Sequence, residues 1–286
     1  MHFIQAKYLL SSKNGMNIFR GCTHGCIYCD SRSLCYQMPH DFSDVAVKEN
    51  AAELLDDALS RKRRKCMIGF GSMSDPYIPA EKELCLTRRC LEIISRRGFG
   101  VSLITKSDLV LRDLDLLKEI NQKTKAVVSM TLTTADDVLC KKIEPNVCPT
   151  SRRAEVLYEL RDAGIPTVVW LCPILPYIND SVENLEGILS ICREARVSGV
   201  LCFGFGMTLR DGNREYYYQK LDELFPGLSS RYAAEFGQSY GVSSPNSREL
   251  EAVFFRFCED EKIECDADKI VTFMSDMERD KQSTLF

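Results

Sequence analysis

No apolar run in this sequence is long enough to cross a bilayer as a helix. The longest, 168–178, is interrupted by Pro173 and Pro176. The first fourteen residues lack an apolar core followed by a small-residue cleavage site, so they do not read as a secretory signal. A cytoplasmic protein without membrane association is expected. Positive charge is not in excess either. Lys and Arg number 37 against 41 Asp and Glu, a net charge of −4 at pH 7. That excludes a protein that coats nucleic acid through bulk charge, and leaves only local basic patches for such contacts. Tandem repeats and long Pro/Gly/Ser linkers are absent. With 45% hydrophobic and 27% charged residues, a disordered or low-complexity chain is excluded as well. The 286 residues lie between one large domain and two average ones, and an α/β barrel of this size is commonly a single domain.

Cysteine breaks this ordinary pattern. There are 14, too few for a disulfide scaffold in a chain of this length, yet well above average usage. A chain without an export signal keeps its thiols reduced, so the question is which of them bind metal or do chemistry.

Short β-branched runs alternate with amphipathic segments. The pattern predicts strands over 17–20, 66–70, 101–105, 126–131, 167–172 and 199–203. It predicts helices over 47–60, 81–97, 111–121, 151–163 and 181–193. Asp180-Ser181 with Glu183 reads as a helix start, and Gly98 and Gly164 stand where helices should stop. Repeated strand–helix alternation means parallel strands with helices packed outside. Six strands give an α/β fold with a partial (β/α)6 barrel, whose site belongs at the C-terminal strand ends. The expected division is a barrel core over 1–206, a mainly helical C-terminal extension over 207–280, and a flexible tail over 281–286.

The most specific local signal is Cys22-Thr23-His24-Gly25-Cys26-Ile27-Tyr28-Cys29, directly after the first predicted strand. A tight loop there can aim three thiolates at one place, and Gly21 and Gly25 permit the turns it needs. An iron–sulfur cube takes a thiolate on each iron it fixes. Three ligands leave one iron open, and an open metal position is where a substrate or cofactor can coordinate. The bland alternatives are three buried cysteines or a zinc site. Zinc wants a fourth ligand, which His24 inside the loop is badly placed to supply.

This Cys-x3-Cys-x2-Cys loop with Tyr28 before its last cysteine resembles the radical S-adenosylmethionine (SAM) superfamily. The flanking text, Arg20 to Asp30, Ser74-Asp75-Pro76-Tyr77 with Glu81, Thr105-Lys106-Ser107 and Glu144-Pro145, is similar to its spore photoproduct lyase-like branch, often labelled DNA repair photolyase-like. The resemblance implies that Cys22, Cys26 and Cys29 hold a [4Fe-4S] cluster whose open iron chelates S-adenosylmethionine. Reductive cleavage would then give a 5′-deoxyadenosyl radical that abstracts hydrogen from substrate, with electrons from a flavodoxin- or ferredoxin-type donor. It also implies Tyr28 near the adenine, Ser74 and Asp75 at the methionine end, Lys106 against its carboxylate, and Ser129 hydrogen-bonding nearby. Glu144 would fix the loop or contact the ribose. Arg152 or Arg153, at a predicted helix start, would contact the cofactor or a substrate phosphate.

One position departs from the branch. Ser72 stands where the lyase has a cysteine that returns hydrogen to the product radical, and a serine O–H bond is too strong for that part. Cys35, Cys172 and Tyr77 are the replacement candidates. The other cysteines (Cys66, Cys85, Cys90, Cys140, Cys148, Cys192, Cys202, Cys258 and Cys265) lack compact spacing, and most read as core rather than as ligands of a second iron–sulfur cluster. The basic run Arg61 to Lys65 reads as a helix end suited to cations rather than a phosphate track. Tyr216-Tyr217-Tyr218 reads as a helix face packed on the barrel rather than a base-stacking surface. The C-terminal Gln282-Ser283-Thr284-Leu285-Phe286 resembles the pentapeptide with which bacterial replication and repair proteins dock on the sliding clamp, with Ser283 where that motif prefers Leu.

The leading expectation is thus a radical SAM enzyme acting on a nucleic acid lesion or modification, with DNA as the possible substrate. The same chemistry on a peptide or small metabolite is the second reading, and a non-catalytic cysteine-rich metal-binding module the third.

Overall fold

The computed structural model describes residues 1–277. Eleven strands are present among them: β1 (His2–Ile4), β2 (Gly15–Met16), β3 (Phe19–Arg20), β4 (Ala46–Lys48), β5 (Met67–Phe70), β6 (Gly100–Thr105), β7 (Ala126–Thr131), β8 (Thr167–Trp170), β9 (Gly199–Leu201), β10 (Gly206–Thr208) and β11 (Gly241–Ser243). Six of them form one parallel sheet in the order β2-β5-β6-β7-β8-β9, with registers such as Val101↔Ala126 and Val168↔Gly199. Strands paired in sequence order, each pair joined through helices, make the partial barrel expected from the alternation. The β7 run Ala126–Thr131 is buried at every residue, as a parallel strand covered on both faces must be.

The helices are α1 (Ala51–Ser60), α2 (Glu81–Leu84), α3 (Leu86–Arg97), α4 (Leu114–Lys123), α5 (Asp137–Ile143), α6 (Thr150–Asp162), α7 (Val182–Ala195), α8 (Asn213–Leu224), α9 (Leu228–Phe236), α10 (Ser247–Glu261) and α11 (Ala267–Ser275). The predicted helix over 81–97 divides at Cys85, whose φ is +52°. The buried Glu81 carboxylate accepts from the Leu86 and Thr87 amides and so caps α3 from within the preceding turn. Gly98 and Gly164 take φ of +67° and +72° at helix ends, where the sequence placed the stops.

The predicted strand over 17–20 is misplaced as a barrel strand: the barrel strand ends just before it, and only Phe19–Arg20 of it is extended in a ladder. Gly15–Met16 pairs with β5 in the barrel, whereas Phe19–Arg20 pairs antiparallel with β4 in a separate three-stranded sheet. The chain leaves the barrel at Asn17, whose Oδ1 accepts from the Met73 amide at 3.1 Å. This exit swings the cysteine segment across the barrel mouth.

The chain beyond 207 covers the side and floor. α10 lays Leu250, Phe254 and Cys258 into the core that also holds Ile188, Leu189 and Cys192 of α7. α11 packs Ile270, with Phe273 and Met274, against the inward-facing Met67, Val127, Val168 and Leu201. The Lys125 ammonium donates to Phe273 O at 2.6 Å and Asp276 O at 3.1 Å, cationic partners for a helix C-terminus. Tyr217 of α8 and Tyr232 of α9 are buried against Ile27 and Tyr28 of the cysteine loop, while Tyr216 lies under the Arg32 guanidinium, 3.9 Å from its ring centroid. The basic run lies before β5, at the opposite end of the barrel from the cysteine loop. Arg61 pairs with Asp57, and Lys65 donates to Arg97 O at 2.7 Å. The clamp-like Gln282 to Phe286 lies outside the described residues. Among the described residues no helix is long and apolar enough to cross a membrane.

Candidate active site

Gly21 turns the chain into the cysteine loop with φ of +97°, and a Cβ there would sit 2.5 Å from Phe42 O. That carbonyl accepts from the Cys22 amide at 3.1 Å, so it cannot move without releasing the loop. Gly21→Ala therefore combines left-handed strain with a backbone clash, worth about 1–3 kcal/mol. The expected outcome is a folded protein with reduced iron content after anaerobic reconstitution. A variant that loads iron like the parent would show that the loop can relax.

Further along, the loop is tied to the end of α5 and the segment that follows it. The Ile27 amide donates to Ile143 O at 3.0 Å, the Asn146 amide to His24 O at 3.1 Å, and Asn146 Nδ2 to Thr23 O at 2.8 Å. Held this way, Cys22, Cys26 and Cys29 all face one cleft of about 180 Å³. Its other walls come from strand ends: Gly71 to Asp75 after β5, Ile104 to Lys106 at β6, Thr131 at β7, and Trp170 and Cys172 at β8. A larger cleft of about 440 Å³ lies on the other side of His24, between Tyr77, Arg112 and Cys148, and it contains none of the three loop thiols.

Burial sets the electrostatics. It pushes the free Cys22 thiol up to about 12, with the Asp75 carboxylate adding to the effect, and raises Cys26 further. Burial also lowers His24 below its ordinary value, which keeps the imidazole neutral. Lys106 behaves differently. Burial alone would depress its ammonium, but Cys26, Glu144 and Asp75 together hold it above the ordinary value. Its Nζ lies 5.9 Å from the Tyr28 ring centroid. The cleft thus presents a fixed cation beside three thiols, a suitable seat for an anionic group.

Asp75 is fully engaged by the protein. Its Oδ1 accepts from the Tyr77 amide and Thr105 Oγ1, both at 2.8 Å, and its Oδ2 accepts from the Lys106 amide at 2.8 Å. It locks the β5 loop onto the end of β6. Ser74 lines the cleft but donates its hydroxyl to Phe19 O at 2.7 Å. Glu144 lies behind the cleft in a buried network. It accepts from the Tyr28 hydroxyl, from Thr133 Oγ1 at 3.2 Å and from Arg153 Nη2 at 2.5 Å. Arg153 also donates to Thr131 O and Cys148 O, each at 3.0 Å, so one guanidinium joins β7, the loop before α6 and the cysteine loop.

The remaining sequence-based candidates separate clearly. Arg152 points away, pairing with Asp108, Glu155 and Glu159 at the surface. Ser129 is buried one rung below Thr131, with Oγ 3.3 Å from Met274 Sδ, and does not line the cleft. Cys35 is exposed beside Arg210, 3.2 Å from its Nη1. Tyr77 is buried with its hydroxyl 3.2 Å from Asp113 Oδ2 and lines the larger cleft. Cys172 alone of the three hydrogen-donor candidates faces the cleft of the loop cysteines. Sequence reasoning missed Trp170, Thr131 and the positioning role of Arg153. The last was legible in part: 153, 156, 157 and 160 share the buried face of α6, whereas 152, 155 and 159 carry its exposed charges.

The donor set fits an iron–sulfur cluster better than a single ion. Among the described residues no three His, Cys, Asp or Glu side chains are gathered around one ion-sized point. The three thiols instead share one cleft, as one thiolate per iron requires.

Comparison with known proteins agrees. The family model described as the radical SAM superfamily matches residues 16–215. An uncharacterized protein of Mycobacterium tuberculosis is 32% identical over 223 residues, 76% of this chain and 65% of the relative. One of Methanocaldococcus jannaschii is 37% identical over 184 residues, 64% of this chain and 65% of the relative. The chain therefore spans about two thirds of the length of these relatives. A protein of Pseudomonas phage M6 named radical SAM Nalpha-GlyT isomerase is 25% identical over 166 residues, covering 57% of this chain and 34% of that one. Among solved structures, spore photoproduct lyase with bound AdoMet and dinucleoside spore photoproduct superposes with a TM-score of 0.63 at 14% identity, covering 91% of this chain and 78% of the other, a likeness of fold. The chain belongs to the radical SAM superfamily, and its cofactors are the [4Fe-4S] cluster and S-adenosylmethionine.

Proposed function

We propose that this radical SAM enzyme is lyase-like, acts on a lesion or modification in a nucleic acid, and returns hydrogen to its product radical from Cys172. One observation supports this above the others: the Cys172 thiol faces the same cleft as the three loop cysteines and Lys106. Cys22, Cys26 and Cys29 would hold the cluster, and Lys106 would neutralise the carboxylate of S-adenosylmethionine. When bound, the pair supplies a carbon radical able to take hydrogen from an unactivated C–H bond. Burial, and then the nearby Cys202, push the Cys172 thiol up to about 12. The group therefore stays S–H, the form that can give a hydrogen atom. The S–H bond would break as a C–H bond forms on the substrate, and an external thiol would return a hydrogen atom to the sulfur by breaking its own S–H bond. Asp75, Glu144 and Arg153 act as positioning residues for the surrounding loops. A nucleic acid substrate is supported by the dinucleoside bound to the structurally similar lyase. The electron donor is read as a flavodoxin or ferredoxin.

Cys172→Ala is expected to keep cluster loading and 5′-deoxyadenosine formation while cutting repaired product at least tenfold and accumulating side products. Single turnovers on oligonucleotides carrying thymine photoproducts or modified bases, read by mass spectrometry, provide the check. Unchanged product yield and distribution in the variant would remove Cys172 from this role. Turnover of a peptide but of no nucleic acid would favour the other substrate class.

A further inference from the structure

We infer that Trp170 and Phe203 form the seat for the substrate's reacting ring, a planar nucleobase with a hydrogen-bond acceptor on its edge. The inference deepens the reading above and rests on it at one point, the placement of Cys172 beside the reacting carbon. The first observation is an orphaned donor. Trp170 Nε1–H is buried and has no hydrogen-bond partner among the described residues. Buried indole N–H groups normally find an acceptor, and this one belongs to a side chain that lines the cleft.

The second observation is its neighbour. Phe203, just past β9, leaves 64% of its surface exposed and meets Trp170 edge-on, with ring centroids 5.9 Å apart. An exposed aromatic beside a cleft offers a face on which a base can stack. Position is the third. Trp170 and Cys172 line the same cleft two residues apart, which brings the proposed seat and the thiol to one cavity. Lys106 marks the opposite need, a cation for an anionic group. From below, the buried cluster of Met67, Val127, Val168, Leu201 and Ile270 packs against Trp170 and supports it.

A base inside a duplex cannot reach a cleft of this size, about 180 Å³. It must be single-stranded or swung out of the stack.

Trp170 is the only tryptophan of the chain, so intrinsic fluorescence reads this seat directly. The reconstituted holoenzyme would be titrated, without reductant, first with S-adenosylmethionine, then with a single-stranded oligothymidine, with the abasic oligomer of the same length, and with a tyrosine-containing peptide. The expected result is a saturable change with the oligothymidine in the presence of the cofactor, and none with the abasic strand or the peptide. Phe203→Ala should weaken oligothymidine binding about tenfold. Trp170→Phe, which keeps a ring and loses the N–H, should do the same by anisotropy of a labelled strand.

A response already complete with S-adenosylmethionine alone would assign the seat to the cofactor's adenine and overturn the proposal. Equal responses to the abasic strand, or a response only to the peptide, would overturn it too. The two readings fail separately. If Phe203→Ala and Trp170→Phe bind the strand normally while Cys172→Ala loses product, the seat is wrong and the hydrogen return stands. If both weaken binding while Cys172→Ala keeps its product, the reverse holds.

Discussion

Replacing Cys26 with alanine is expected to reduce S-adenosylmethionine cleavage to background while leaving a folded protein. The cysteine is buried among Ile27, Tyr28 and Leu175, so its truncation costs a small cavity, about 1 kcal/mol. The other two thiols cannot replace it, because each iron fixed by the protein needs its own thiolate. Anaerobically reconstituted variant and parent would be compared for iron and sulfide content, visible absorbance and 5′-deoxyadenosine after reduction. The variant should show a lost or labile cluster, no nucleoside, and a melting temperature within a few degrees of the parent. Cleavage at the parent's rate would rule out the cluster assignment. Zinc uptake without iron by the parent itself would favour a non-catalytic module.

The largest expected effect on stability comes from Glu144. Both it and Arg153 are wholly buried, and the pair ties the cysteine loop to β7 and α6. Removing one partner of a buried pair leaves an uncompensated charge, and the cost is about 3–5 kcal/mol. Glu144→Gln should therefore lower the chemical-denaturation midpoint strongly, and Arg153→Met alone should do likewise. The double variant Glu144→Gln/Arg153→Met should recover much of the loss, since the carboxylate and the guanidinium are then removed together and Lys106 keeps Asp75 as a counter-charge. A Glu144→Gln protein as stable as the parent would mean that the guanidinium finds water or another acceptor. The pair also carries a pH signature. Burial alone would raise the Glu144 carboxyl, but Arg153 and Lys106 outweigh it and hold the group below the usual carboxylate range. A carboxyl depressed in the folded state contributes stability above its unfolded value, and that contribution fades as pH falls through the folded one. The parent should lose stability on the acid side of that range, and Glu144→Gln should lack that part of the slope.

Much of the site could be read along the chain because its chemistry is local. Cys22, Cys26 and Cys29 lie within eight residues, and a loop that short brings them together whatever surrounds it. Lys106 and Asp75 follow short, largely apolar strands that the alternation marks, and the ends of parallel strands meet by topology. The six-stranded order followed from the alternation for the same reason. Where the local signal was weak, tertiary pairing won. Residues 17–20 have the composition of a strand, but only the antiparallel partner β4 decided that Phe19–Arg20 would leave the barrel. Cys35 and Cys172 look equally available in the sequence, and only the packing of Cys35 beside Arg210 at the surface separates them.

By itself, then, the sequence determined the cofactor chemistry and the barrel, since both arise from residues close in the chain and from a hydrophobic period. The structure decided what depends on distant segments meeting. It chose Arg153 over Arg152 because one helix face is buried and the next is not. It sent Ser129 to Met274 of α11, 145 residues away, and seated Trp170 on the same buried cluster as Ile270 of that helix, an arrangement that forms only when that helix closes beneath the barrel.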